Sequence, residues 1–301
     1  MGAADKILEQ RVLSKKLLFW RAAAIVAIVI MFFLVYSKGS TLKQSQYIAS
    51  ISVVGEIFED GIREKNLAKI ANDPQIKAVI FNISSPGGSS YGGESLYSSI
   101  LEIGKKKPVV AVMGTMATSA GYMAALGANH IIARNSTVTA SIGTIFIYPE
   151  FSELAKKLGV QVVVLKKGKL KAEPLPFNGP ITPEAKQMIT SLLEDQYNMF
   201  YDMVARHRKI PRNKLEALSD GRVLTGSQAL SYGLIDQIGA NKEAIAWLNS
   251  QNKRLKNLKV KEIPLYEARK MFGFDDLKSM LVNLKDILRM FANSSTGQVQ
   301  S

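Results

Sequence analysis

The stretch that decides the fold runs from residue 76 to residue 127 and reads IKAVIFNISSPGGSSYGGESLYSSILEIGKKKPVVAVMGTMATSAGYMAALG. It opens on Ile76 to Ile83, a short apolar, β-branched run of the kind carried by a buried strand. The turn Ser84-Ser85-Pro86-Gly87-Gly88 separates this run from a helical pattern through Glu94 to Ile103. The order then repeats: a strand from Pro108 to Met113, a turn from Gly114, and a small-residue helix from Ser119 to Gly127. Strands alternating with crossover helices predict an α/β fold with a mainly parallel sheet and helices on its faces. Both turns then fall at the carboxyl ends of consecutive strands, where open α/β sheets place their sites.

Working outward, Ile48 to Ile57 reads as a strand and Gly61 to Asn72 as a helix with Ile62, Leu67 and Ile70 on one side. Downstream, His130 to Ala133 is a short strand, and Val160 to Leu165 (VQVVVL) is another that runs into KKGKLK. A long amphipathic helix follows, capped by Thr182 with Pro183 in its first turn; Met188, Leu192, Met199 and Met203 recur at helical spacing. Asp220 to Gly239 gives a turn, a capped short helix and a strand. No repeat of 20–50 residues is present. Leu277 to Phe291 forms an amphipathic helix with three open fates: lying on a membrane, packing against a neighbouring subunit, or docking as a terminal helix.

The 301 residues contain no cysteine, which excludes disulfides, thiolate catalysis and cysteine zinc sites. The two histidines, His130 and His207, stand far apart, so neither a metal cage nor any other cofactor is expected. A formal charge of +14 raises nucleic acid and anionic lipid as partners. The positive charge is spread over the N-terminus, the 166–171 loop, RHRK and the segment from Lys253, and no nucleic-acid-binding motif accompanies it. Lipid is favoured and nucleic acid is not. Leu17 to Tyr36 is apolar except for Arg21 and as a helix would rise about 30 Å, the thickness of a bilayer core. Lys6, Arg11, Lys15 and Lys16 precede it, which by the positive-inside rule leaves the N-terminus cytoplasmic. YSKGST after it lacks a small-residue cleavage site. The expectation is a cytoplasmic segment over 1–16, a single-pass inner-membrane anchor over 17–37 and a linker over 38–46. An exported catalytic domain over 47–250 and a C-terminal extension over 251–301 complete it.

Ser119 has two readings on local grounds. Its neighbours Ala117, Thr118, Ala120 and Gly121 permit close packing of a helix start. The same smallness leaves room for a substrate backbone, and a serine on a strand-to-helix turn has an exposed hydroxyl beside a helix N-terminus. A nucleophilic serine needs a base. His130 begins a strand behind the helix, and His207, within RHRK, reads as solvated. Lysine is the alternative. At an ordinary pKa of about 10.4 roughly one molecule in 2,500 is neutral at pH 7, and lowering it to near 7 costs about 4–5 kcal/mol. Composition cannot choose among the lysines.

Five motifs in order, SSPGG at Ser84, GTMATSAGYMAAL at Gly114, TASIGTI at Thr139, KKGKLK at Lys166 and DGRVLTGSQALSYGLIDQIG at Asp220, do choose. Over residues 46 to 250 the chain resembles the signal peptide peptidase A group of serine proteases, relatives of the Clp protease and crotonase folds. The resemblance implies a Ser/Lys dyad, with Ser119 as nucleophile and Lys171 as general base. It also implies an oxyanion hole from the N–H groups of Gly88 and Ser119, and Ser141 as a residue that holds the lysine. Leu170 stands where the family carries an aromatic residue, and Ala140 replaces a glycine. The implied substrates are cleaved signal peptides and other apolar peptides. The implied assembly is a homo-oligomeric ring in which the serine of one subunit meets the lysine of the next. Two rival readings are a crotonase-type acyl-CoA enzyme, which would need neither Ser119 nor the 166–171 lysines, and a non-catalytic membrane scaffold.

Overall fold

The computed structural model describes residues 16–17, 19–31 and 45–265. The chain divides into two units, Met1–Ser45 and Gln46–Ser301. In the first unit, residues 16–17 and 19–31 are helical. The expected membrane anchor is corrected here: among the described residues no helix is long and apolar enough to cross a membrane. Residues 32–37 of the expected span lie outside the described residues, as do residues 1–15. The single-pass inner-membrane localisation, built on that anchor, is withdrawn with it, and so is the membrane-anchored scaffold.

The second unit is an α/β fold. Its strands are β1 (Tyr47–Val54), β2 (Ile76–Ser85), β3 (Val109–Thr118), β4 (His130–Ala133), β5 (Val138–Ala140), β6 (Val223–Thr225), β7 (Gln237–Ile238) and β8 (Lys259–Glu262). Its helices are α1 (Gly61–Asn72), α2 (Ser90–Gly104), α3 (Ala120–Ala125), α4 (Ser152–Lys157), α5 (Pro183–His207), α6 (Arg212–Leu218), α7 (Gly226–Ser231) and α8 (Asn241–Gln251). The strand order is β6-β5-β3-β2-β1-β8, with β4 pairing β3 and β7. The sheet is mixed: β5–β6 is antiparallel, and the other described pairs are parallel.

Strand β3 organises one end of this sheet. Its first half pairs with β4 at Val110–Val112 and its second half with β5 at Met116–Thr118. Against β2 the register shifts, because Ile83 sits opposite Met113 but Ser85 sits opposite Ala117. Three residues, Gly114–Met116, stand opposite the single Ser84, and a bulge of this kind re-aims the strand that follows. Alternate side chains of the parallel strands enter opposite layers. Ala49, Phe81 and Ala111 pack beneath α1, α2 and α3 in the larger core, whereas Ile48, Ile80 and Val110 meet Ala244 and Leu248 of α8.

Local chemistry fixes the helix ends. Asp60 caps α1 by accepting from the N–H groups of Ile62 (3.0 Å) and Arg63 (2.9 Å). Thr182 caps α5 through Ala185 N–H at 3.2 Å, with Pro183 in the first turn. Helices α2 and α3 approach at backbone distance, since a Cβ on Gly93 would lie 2.9 Å from that of Ala120. The packing role of the small residues around Ser119 is therefore real.

Two expectations fail in this unit. VQVVVL, residues 160–165, is not a strand: Val163 is 78% and Leu165 94% exposed, and no described strand lies alongside to satisfy its backbone. His207 is not solvated. Its Nε2 lies 2.6 Å from Tyr97 Oη, with the two rings edge to face. The 277–291 helix lies outside the described residues.

Burial, then the positive charges of Arg206 and Arg208, depress the pKa of His207 below its ordinary 6.5. The unfolded chain thus takes up a proton that the folded chain refuses. This contribution to stability is complete above pH 6.5 and declines as the pH falls through it. Tm measured from pH 7.5 down to about 5 is expected to fall more steeply in the wild type than in His207→Gln. Superimposable curves would refute the assignment.

Candidate active site

The first wall of the site is the turn after β2. Ser85 Oγ accepts from Gly87 N–H at 3.1 Å, which closes the turn. Ile57 then forms a one-residue parallel bridge with Gly88: its N–H donates to Gly87 O (2.8 Å), and its carbonyl accepts from Ser89 N–H (3.1 Å). In such a bridge the middle residue turns its own N–H to the other side. The Gly88 N–H has no acceptor among the described residues. Only glycine fits there, because a Cβ would fall 2.0 Å from Ile57 O.

The second wall is the end of β3. Thr118 Oγ1 donates to Pro86 O at 2.8 Å, tying the two turns together. Ser119 follows with φ +51° and ψ −120°, a conformation that L-residues rarely adopt. Its N–H donates to Ala140 O at 2.8 Å, and its carbonyl accepts from Met123 N–H at 2.8 Å as α3 begins. The half-buried hydroxyl lies close to Gly87, where an added Cβ would come within 3.4 Å of Oγ.

The Ser119 N–H, one of the two expected oxyanion donors, is engaged by Ala140 O of β5. The next N–H, that of Ala120, opens α3 and has no acceptor among the described residues. Which of two adjacent N–H groups the sheet engages leaves no trace in residue type.

Ser141 lies at the end of β5, with Ala140 (φ +66°) and Ser141 (φ +55°) in consecutive left-handed conformations. Its N–H donates to Arg222 O at 2.9 Å. Gly88, Ser119, Ala120 and Ser141 all line one cavity of about 610 Å³. Helix α5 supplies another side of it through Thr190, Leu193, Tyr197 and Phe200. Their i, i+3, i+7, i+10 spacing was the available signal for this wall, competing with the methionine stripe.

Lys171 is elsewhere. It sits on an exposed turn closed by its own N–H donating to Gly168 O at 3.1 Å, and it does not line the cavity. Of its neighbours, Lys166 pairs with Glu173 and Lys169 with Glu184 (2.7 Å), whereas Lys167 and Lys171 form no ion pair among the described residues. Among the described residues no lysine, arginine or histidine lines the cavity. His130 is stacked on Trp247 at 4.7 Å and 9°, with Nε2 3.1 Å from Gln237 Oε1. Asp220 does line it, but the Arg222 guanidinium and then the Arg222 N–H hold its pKa down at about 2. So acidic a carboxyl is a weak base for a serine hydroxyl.

A strained serine at the carboxyl end of a parallel strand, beside two unengaged backbone N–H groups, is the arrangement of an α/β serine hydrolase. The chain belongs to peptidase family S49, whose family model matches residues 102–256. It is 34% identical over 212 residues to the slr0021 protein of Synechocystis sp., an alignment covering 70% of this chain and 75% of that one. It is 33% identical to Protease 4 of Haemophilus influenzae, over 66% of this chain and 34% of that protein. The chloroplastic serine protease SPPA of Arabidopsis thaliana aligns at 33% over 63% of this chain and 28% of its own length. The chain thus spans about a third or less of these last two relatives. Membership makes it a serine-protease hydrolase whose substrates are peptides.

The backbone at Ser119 separates two substitutions that both remove the hydroxyl. Ser119→Ala keeps the strained Cβ, whereas Ser119→Gly releases it. The release is worth about 1–3 kcal/mol, partly offset by about 0.5–1 from the freer unfolded chain. Thermal scans should place the glycine variant about 2–4 °C above the alanine variant. The reverse order would mean that the conformation is unstrained.

Proposed function

We propose that the chain is a serine endopeptidase in which Ser119 attacks a peptide carbonyl and Lys171 of a second copy removes its proton. The oxyanion is received by the N–H groups of Gly88 and Ala120, and Ser141 holds the incoming lysine. The observation that carries this reading is a cavity with a poised serine, two unengaged donors and, among the described residues, no lysine, arginine or histidine in its lining. After attack, the lysine gives the proton to the leaving amine, and water then cleaves the acyl-enzyme.

The second copy has support of its own. The segment carrying Lys171 presents Ile145, Ile147, Val163 and Leu165 to solvent, a concentration of apolar surface that one chain leaves uncovered. A ring places each such segment against a neighbour and gives VQVVVL a strand to pair with. Substrates are extended apolar peptides, cleaved signal peptides among them, which suits the Met123, Leu193 and Phe200 lining.

Two measurements test the reading. A fluorophosphonate probe should label Ser119, and label on any other residue defeats the assignment; loss of peptide hydrolysis in Ser119→Ala also excludes a crotonase-type acyl-CoA enzyme. Mixing inactive Ser119→Ala with inactive Lys171→Ala protein should then restore about a quarter of wild-type activity, the random share of intact serine–lysine neighbours. Subunit exchange is followed by native mass spectrometry. If the copies exchange and activity stays absent, the dyad is not shared between chains.

A further inference from the structure

Two carboxylates line the Ser119 cavity, and their situations differ. Asp220 is gripped by Arg222, with Nε 2.8 and 3.0 Å from the two carboxylate oxygens and Nη2 at 2.6 Å. Arg222 itself does not line the cavity. Glu194 is one residue beyond Leu193 on the cavity face of α5, and its carboxylate makes no hydrogen bond or ion pair among the described residues. Among the described residues of one chain no cation lines the cavity, and the Lys171 of a second copy acts at Ser119 as a neutral base. The negative charge of Glu194 therefore has no counter-ion there beside the apolar surface of Met123, Leu193 and Phe200. This is the reverse of the chain as a whole, which carries +14.

We propose that Glu194 makes the cavity select peptides that place a positively charged group next to their apolar residues. The charge can come from a lysine or arginine side chain or from the peptide's own N-terminal ammonium. The proposal rests on the reading of Ser119 as nucleophile, and it names the substrate chemistry of that site. An apolar cleft strengthens an ion pair by thinning the water around it, but Glu194 is exposed at the rim. The preference is therefore modest, about threefold to tenfold.

The experiment uses the full chain and matched acetylated apolar peptides that differ only in lysine against norleucine at one position, scanned along the peptide. A second pair compares a free with an acetylated N-terminus and separates the two sources of charge. Wild-type kcat/KM and Kd for the Ser119→Ala protein are both measured. The cationic member of at least one pair is expected to be favoured about threefold to tenfold. The ratio should fall to about one in Glu194→Gln, invert in Glu194→Lys, and shrink between about 50 and about 500 mM salt. A wild-type ratio of one, or a ratio untouched by Glu194→Gln, overturns the proposal. The Kd arm needs no chemistry, so a failure of Glu194 is distinguishable from a failure of the nucleophile, which the fluorophosphonate label reports separately.

Discussion

The hydrogen bond from Ser119 N–H to Ala140 O, 2.8 Å long, holds the site together. It docks the end of β3 against β5 at the point where the chain must leave the sheet and enter α3. Satisfying that N–H in the ladder forces Ser119 into its strained conformation, and the strain turns the hydroxyl away from the core. It also moves the first unengaged N–H of the helix to Ala120, so hydroxyl and donor fall on one cavity. Ala140 shares the cost by taking a left-handed conformation of its own. Two strained residues joined by one hydrogen bond are stable only because the surrounding sheet and helices leave the chain no alternative.

The scaffold that supplies this rigidity is ordinary. Parallel strands buried on both faces set the positions of the turns after β2 and β3, and the hydrogen bond from Thr118 Oγ1 to Pro86 O ties the two turns together. The Ile57–Gly88 bridge adds the final constraint by orienting a backbone donor that no side chain supplies. Among the described residues no lysine, arginine or histidine lines the Ser119 cavity, and Lys171 lies on an exposed turn outside it.

Much of this was legible in the residues. The β-branched runs at 76–83 and 108–113 announced the parallel strands, Thr182-Pro183 marked the start of α5, and the small residues around Ser119 foretold its close packing. What escaped shares a cause: it depends on partners distant in sequence or absent from the chain. VQVVVL has the composition of a strand, but composition cannot supply a neighbour. His207 looked solvated because Tyr97, which receives it, lies 110 positions away. Which N–H stays unengaged, that of Ser119 or of Ala120, depends on what the sheet has already used. The anchor was expected from hydropathy over 17–37, whereas among the described residues no helix is long and apolar enough to cross a membrane.

VQVVVL has a further consequence that concerns the chain before assembly rather than the finished enzyme. A bare, uncharged, β-branched run is the composition that seeds stacked intermolecular sheets. Here it is bracketed by Lys156-Lys157 on one side and Lys166-Lys167 on the other. In-register stacking of identical chains would pile these ammonium groups on one another at each 4.7–4.8 Å step, roughly the spacing of strands. The flanking lysines thus act as gatekeepers, penalising the repetitive pairing of a fibril while leaving a single specific partner strand acceptable. The same segment can be sticky enough to assemble and still be guarded against assembling without end.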